Sequence, residues 1–285
     1  MNPAHYQHPI ILIGYDVEAR SASGDDTSTR LFLEKAVPLH SSFKIPCTAF
    51  ILGQTLMENI ESFQQIRGDS LWDIQQHSFS HIAFRQFGPA SQDLLLKSGV
   101  DPDIDVIRQE VSKANELFRE ILGITCRGIC APKGYFNGLR GRADILTVLE
   151  SHGIRFVRSY GRNEKHWQPV SFHIQPFWYI EDGFPQILEI PIQGWQDTIW
   201  RRVFGWDNKS GFLQYLRESV EYVTQNHLIW SCCFHDWSCV KNDVDLDIMK
   251  EFFEYALKKG AVFLSHLDFF EMIRKEKEQI EYSLC

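Results

Sequence analysis

The stretch Ile11-Leu12-Ile13-Gly14-Tyr15-Asp16-Val17-Glu18 is an apolar run that ends in two carboxylates spaced two apart. Its apolar part, residues 10–15, has no helical period and reads as a buried strand. Strand alternation then points Asp16 and Glu18 the same way. Outward from there, Ile45-Pro46-Cys47-Thr48-Ala49-Phe50-Ile51-Leu52-Gly53 is a second buried strand with a glycine stop, and Leu71 to Gln76 is a third. Between them lie a helical pattern from about Thr29 that Pro38 ends or kinks, and a helix over Glu58 to Ile66. Strands that alternate with helices predict parallel pairing through right-handed crossovers.

Ser21 to Asp26 reads as a polar loop and Gly88 to Asp103 as a surface excursion. From Asp105 to Leu122 the apolar residues Val106, Ile107, Val111, Ala114, Leu117, Phe118 and Ile121 mark an amphipathic helix closed by Gly123. Further strands are expected at residues 128–131, Ile154 to Val157, Ile187 to Ile192, Leu228 to His235 and Ala261 to Leu264. Further helices are expected at Asp144 to His152, Phe212 to Val223, Ile248 to Leu257 and Met272 to Glu281. Residues 160–185, aromatic and proline-rich, suit a long loop over one end of the domain. About seven β/α units without a repeat or linker predict one domain over residues 1–285, an α/β fold of the distorted (β/α)7-barrel type rather than a doubly wound sheet.

Composition narrows the function. The 285 residues, 44% hydrophobic and 23% charged, are ample for a sizeable core. A net charge of -8 and a pI near 5.8 argue against nucleic acid or an anionic membrane as the main partner. The seven cysteines include no CxxC pair of the structural-zinc or thioredoxin kind, and most sit in apolar runs as small hydrophobes. The first residues lack the basic and apolar regions of a secretory signal, and no apolar run reaches membrane-spanning length. A reducing, cytoplasmic compartment is the expectation.

The third strand leads into His77-Ser78-Phe79-Ser80-His81. Two imidazoles four residues apart share a face if the segment is helical, and a single tight turn also converges them on one ion. A catalytic metal site takes a third protein ligand and keeps a position open, and the acidic pair ending the first strand is the best source of that ligand. His235 closes the apolar run Leu228 to Phe234, where a lone histidine is often a satisfied core group, but its place at a strand's C-terminal end, where barrels carry their chemistry, favours a general acid. Asp236 reads as a solvated group or a cap, and Cys232 and Cys233 as packing. Trp195, Trp237, Tyr135 and Trp178 are aromatic candidates for a sugar ring, with packing as the commoner role. Arg140-Gly141-Arg142 and Arg201-Arg202 are candidate clamps for a phosphate or anionic sugar. Neither HExxH nor the zinc-deaminase pattern occurs.

In this order the segments resemble the polysaccharide deacetylase family, carbohydrate esterase family 4, whose fold is also called the NodB homology domain. Tyr15-Asp16-Val17-Glu18 stands at its first acidic motif, Asp73 to His81 at its histidine motif, Gly128-Ile129-Cys130-Ala131-Pro132 at its third, and Phe234-His235-Asp236-Trp237 at its last. Glu189-Ile190-Pro191 resembles the strand before its active site. The resemblance implies a metal-dependent hydrolase removing an acyl group, in first place acetyl, from an N-acylated amino sugar. It assigns Asp16 as general base, His235 as general acid, and Glu18, His77 and His81 as metal ligands. Two imidazoles and one carboxylate suit Zn2+, with other divalent ions as alternatives. A cytoplasmic enzyme of this kind would act on a nucleotide-linked or lipid-linked saccharide precursor. A cyclic ureide or other non-sugar amide is the alternative substrate, and a non-catalytic carbohydrate-binding relative is the alternative outside enzymes.

Three positions depart from the family pattern. Glu18 replaces the usual metal-binding Asp, a ligand arm longer by one methylene. Cys130 stands where an Arg usually pairs with the base, which leaves Arg127, three residues earlier, as the candidate partner of that carboxylate. No aspartate of the sort that orients the last histidine occurs around Phe156-Val157-Arg158-Ser159.

Overall fold

A computed structural model describes residues 8–18, 27–86 and 101–283. The loop expected at Ser21 to Asp26, and most of the excursion from Gly88 to Asp103, lie outside the described residues. In chain order the elements are β1 (Ile10–Val17), α1 (Ser28–Phe43), β2 (Cys47–Ile51), α2 (Gly53–Glu58), α3 (Ile60–Ile66) and β3 (Trp72–Gln76). Then come α4 (Ile104–Leu117), which runs on as a π turn (Phe118–Leu122), β4 (Gly128–Tyr135), α5 (Ala143–Ser151) and β5 (Phe156–Tyr160). The last part holds β6 (Phe177–Tyr179), β7 (Phe184–Glu189), α6 (Asp197–Phe204), α7 (Lys209–Gln225), β8 (Ile229–His235), α8 (Asp236–Lys241), α9 (Asp247–Lys258), β9 (Val262–Leu264) and α10 (His266–Ser283).

Among the described residues the nine strands form one sheet in the order β6-β7-β5-β4-β3-β2-β1-β8, with β9 also on β1. All pairs except β6·β7 are parallel, as the alternation of strands and helices predicts. Strand pairing leaves the ring open between β7 and β8. Residues beyond β7 span that seam: Ile190 and Ile192 donate to Val157 and Tyr160 of β5, and Gln193 donates to Ser231 of β8 at 3.2 Å. The Gln193 side chain accepts from the Ser231 N–H at 2.7 Å, so each group of that bridge finds a partner.

The inside of the barrel follows from the period of two along each strand. The odd-numbered side chains of β1, Ile11, Ile13, Tyr15 and Val17, pack outward with the apolar faces of α1, α7 and α9. The even-numbered Ile10 and Leu12 meet Phe50, Cys130, Phe156, Leu188, Ile190 and Ile229 from the other walls. α10 enters the same cluster with Phe269, Phe270 and Ile273 and plugs the N-terminal end of the strands. The C-terminal end therefore holds the remaining inward positions, among them Asp16 and His235.

Several elements depart from expectation for local reasons. Pro38 sits inside α1 and does not end it. Both Pro38 and Glu34, whose carbonyl loses its partner, face solvent, while Phe32, Leu33, Ala36 and His40 bury the opposite face. The helix expected at Glu58 to Ile66 is α3, and a further short helix, α2, precedes it across Asn59. β4 runs on to Tyr135 through an irregularity after Cys130, and α10 starts six residues before the expected Met272. The long loop at 160–185 contains β6, and α6 and α8 were not expected at all. No helix among the described residues is long and apolar enough to cross a membrane.

Candidate active site

Asp16 and His235 are register partners in the β1·β8 pair, so two inward side chains face each other across adjacent strand ends. Asp16 Oδ1 accepts from Arg158 Nη1 at 2.6 Å, and Arg158 Nη2 donates to the Cys232 carbonyl at 3.1 Å. Arg158 comes from β5, is fully buried, and lies over the Phe50 ring at 5.1 Å. It crosses the barrel above Gly14, where an added Cβ would stand 3.0 Å from the guanidinium. The small residue in the first strand is thus the space through which the arginine reaches the acid. Asp16 Oδ2 faces the thiols of Cys130 and Cys233 at 3.6 and 3.5 Å. Burial alone would raise the Asp16 pKa, but the charges of Arg158, His77 and His235 together outweigh it and hold the carboxyl below its ordinary value.

Arg127 does not fill this role. Its guanidinium pairs with Glu271 of α10 and lies over Phe270, at the plugged end of the barrel. The missing family arginine is replaced from the neighbouring strand, because position 130 and position 158 are register partners across β4·β5 and both point inward.

His77 follows directly on β3, its N–H donating to Ile51 of β2 at 2.9 Å. The histidine segment is a turn and not a helix, since Ser78 and His81 have φ of 65° and 66°. His77 Nδ1 donates to the Cys130 carbonyl at 2.7 Å, which aims Nε2 at the site. Glu18 Oε2 lies 3.2 Å from His77 Nε2 and 2.5 Å from His81 Nε2. The longer glutamate arm therefore reaches both imidazoles. Burial would raise the Glu18 pKa, yet the two imidazoles hold it well below the usual range. Burial also opposes charge on His77, but Cys130, Asp16 and Glu18 raise its pKa well above the usual value. The donor atoms of Glu18, His77 and His81 lie within 4.8 Å of one another. Two imidazole nitrogens and a carboxylate converging in this way fit a divalent ion, whose charge would take the place of the shared protons.

The Glu18 backbone is itself held. Its N–H donates to Asp236 Oδ1 at 3.1 Å, and Asp236 Oδ2 accepts from Thr29 Oγ1 at 2.5 Å. Asp236 is fully buried, not solvated, and burial pushes its pKa up to about 6.

His235 Nδ1 donates to Asp197 Oδ1 at 2.6 Å, and its backbone N–H donates to Asp197 Oδ2 at 3.1 Å. The aspartate that orients the last histidine thus opens α6, far from the β5 stretch where the family pattern places it. Burial works against the His235 charge, but Asp197, Glu18 and Asp16 raise its pKa to about 9, so the ring carries its proton at neutral pH. Nε2 points into the site, 3.8 Å from Glu18 Oε1.

All five residues singled out in the sequence, Asp16, Glu18, His77, His81 and His235, line one cleft of about 410 Å³. Arg158 and Asp197 are the functional neighbours that sequence reasoning missed. Lys133 and Gly134, from the irregular end of β4, form part of the wall, as do Arg162, Arg202, Trp206 and Trp237. Trp237 packs against Trp206 with ring centres 5.5 Å apart. The other aromatic candidates are packing groups: Trp195 lies against Phe204, Trp178 against Phe270, and the buried Tyr135 hydroxyl donates to the Pro132 carbonyl. Arg140 pairs with Glu181, Arg142 with Asp101 and Asp144, and Arg201 is buried over Phe212. Of the four arginines, only Arg202 borders the cleft.

A sequence profile described as polysaccharide deacetylase matches residues 23–157. No curated protein matches the chain by sequence. Among solved structures, a candidate polysaccharide deacetylase from Mycobacterium smegmatis is 14% identical, covers 95% of this chain and 91% of its own, and superposes with a TM-score of 0.70. Puue allantoinase is 16% identical over 94% of this chain and 92% of its own, with a TM-score of 0.67. A family 4 carbohydrate esterase from Streptomyces lividans, solved with acetate, is 14% identical over 90% and 91%, with a TM-score of 0.52. By the profile match over residues 23–157 and the shared fold, with the motifs in order along the strands, the chain is similar to the polysaccharide deacetylases.

Proposed function

We propose that the protein is a metal-dependent hydrolase that removes the acyl group, in first place acetyl, from an N-acylated amino sugar or saccharide precursor. One observation carries this reading. A converged Glu18–His77–His81 set shares one cleft with a carboxylate paired to a buried arginine and an imidazole paired to a buried aspartate. That is the arrangement amide hydrolysis needs, with a base and a charged acid beside an ion site. A divalent ion held by Glu18, His77 and His81, Zn2+ being our first choice, supplies Lewis-acid polarisation of the acyl oxygen and acidifies the attacking water.

The chain's own groups supply the proton transfers. Asp16, kept ionised by Arg158, takes the proton of the attacking water as the new C–O bond forms. Arg158 also fixes the carboxylate's orientation, since one of its oxygens is committed to that pair. His235 gives its Nε2 proton to the nitrogen as the C–N bond breaks, because an amine is too basic to leave as an anion. Asp197 keeps Nδ1 protonated and so leaves Nε2 as the donating position. The turn at Lys133 and Gly134 borders the cleft and is our candidate for a backbone N–H facing the developing oxyanion.

The test is product release from a panel of N-acetylated amino sugars run beside cyclic ureides, since an allantoinase shares the fold. We expect acetate from the sugars. Asp16→Asn should retain metal and lose roughly 10²- to 10⁴-fold in turnover, while His77→Ala should lose the metal. Unchanged turnover in Asp16→Asn would remove the proposed base. Ring opening of a ureide without acetate release would move the substrate to non-sugar amides. A metal-loaded protein inert toward both panels would leave carbohydrate binding without catalysis.

A further inference from the structure

The turn carrying His77 and His81 passes through two left-handed residues, Ser78 and His81, neither of them glycine. That conformation is strained for an L-residue, so its surroundings must hold it. On one side stands the start of α2, whose Gly53 and Gln54 N–H groups donate to the Ser78 and Phe79 carbonyls at 2.9 and 3.0 Å. The Phe79 ring lies where a Cβ on Gly53 would come within 2.7 Å, so the helix and the turn are in contact. On the other side stands Glu110, from the buried face of α4. Its Oε2 accepts from the Phe79 and Ser80 N–H groups at 3.1 and 2.7 Å, and its Oε1 accepts from Ser80 Oγ at 2.6 Å. Lys113, also on α4, lies 3.5 Å over the Phe79 ring.

We propose that Glu110 is the positioning residue of the ion site: by holding the peptide between the two imidazoles, it sets their spacing and thereby the affinity for a divalent cation. This rests on the reading of Glu18, His77 and His81 as ligands. Glu110 acts through the backbone of residues 79 and 80, which lie between the ligands in sequence. It is 9% exposed, and one oxygen of its carboxylate is the acceptor that both half-buried N–H groups share. Without it, those N–H groups pair elsewhere and the chelate loses its preformed geometry.

Zn2+ titration by calorimetry, with chelator competition, tests this on the full chain. Glu110→Ala should weaken Zn2+ binding about 10- to 100-fold, and activity should recover when Zn2+ is raised to saturation. Glu110→Gln keeps a carbonyl oxygen for the two N–H groups and an amide for Ser80 Oγ, so it should bind close to the unsubstituted protein. Amide exchange of metal-free protein should show Phe79 and Ser80 losing protection in Glu110→Ala and keeping it in Glu110→Gln. Unaltered Zn2+ affinity in Glu110→Ala, or equal losses in both variants, overturns the proposal. If the unsubstituted protein binds no Zn2+, the ligand assignment falls, and unchanged exchange at Phe79 and Ser80 separately overturns the clamp. Should Glu110→Ala fail to fold, Glu110→Asp, which retracts the carboxylate by one methylene, takes its place in both measurements.

Discussion

His235 and Asp197 form a buried unit in which one carboxylate serves both the ring and the backbone of the same residue. Two hydrogen bonds from one histidine to one aspartate fix the ring's orientation as well as its charge. Asp197→Asn removes the charge that supports the imidazolium and leaves the proposed metal ligands untouched. We expect turnover to fall by about 10²-fold or more, with Zn2+ affinity unchanged, when both are measured on the same preparation. Equal activity in this variant would mean that the leaving amine takes its proton elsewhere. The sequence shows Asp197 as one acid among many, because it lies 38 residues from the histidine it serves. The place of His235 in the cleft was legible, since it closes an apolar run at a strand's C-terminal end.

At the level of the element, β1 shows how one strand writes two faces. Its outward side chains are large and apolar, while its inward positions step from Ile10 and Leu12 through Gly14 to Asp16. The step to glycine is needed because Arg158 occupies that layer of the barrel. Gly14→Ala would push its methyl into the guanidinium and also stand 3.2 Å from the Cys232 carbonyl. We expect a loss of about 1–3 kcal/mol in urea unfolding. A fall in kcat at saturating metal should accompany it, as the Arg158–Asp16 pair is displaced. If neither quantity moves, the barrel has slack that the packing does not suggest. β4 is the opposite case, for its sequence ends the apolar run near Ala131 while the chain stays in the sheet to Tyr135. Turn residues there mask a strand whose irregular end forms part of the cleft wall.

Across the whole molecule, stability against pH sums buried groups of opposite sign. His40 is fully buried on α1, with Nδ1 donating to the Ile45 carbonyl and Nε2 receiving the Tyr15 hydroxyl, both at 2.8 Å. Burial holds its pKa at about 4, below the 6.5 of an exposed histidine. The unfolded chain therefore binds this proton first as pH falls. The stability His40 contributes is complete above pH 6.5 and drains away as pH drops toward 4. Between pH 7 and pH 5 the loss is about 2 kcal/mol. Asp73 and Asp236, raised by burial to about 6, act the other way, since the folded state holds their protons more firmly. Only the difference between the unsubstituted protein and His40→Gln isolates the histidine. Urea unfolding at the two pH values should show a flatter acid limb in His40→Gln, and parallel limbs would discount His40.

Local pattern was enough for most of the strands, the five polar residues that meet in the cleft and the barrel class, because each rests on a short-range rule. An apolar run buries, a period of two chooses a face, and a polar residue at the end of such a run has few reasons to be there. Asp16, Glu18, His77, His81 and His235 all obey that rule. Arg158, Asp197 and Glu110 do not, as each acts on a residue distant in the chain and its own neighbourhood reads as ordinary strand or helix. Their roles were decided by the curl of the sheet, which sets β5 across from Gly14, carries the start of α6 behind β8, and lays α4 along the histidine turn. Burial then made those meetings matter, because an unpaired charge or N–H in a dry interior is costly and each of these side chains removes one.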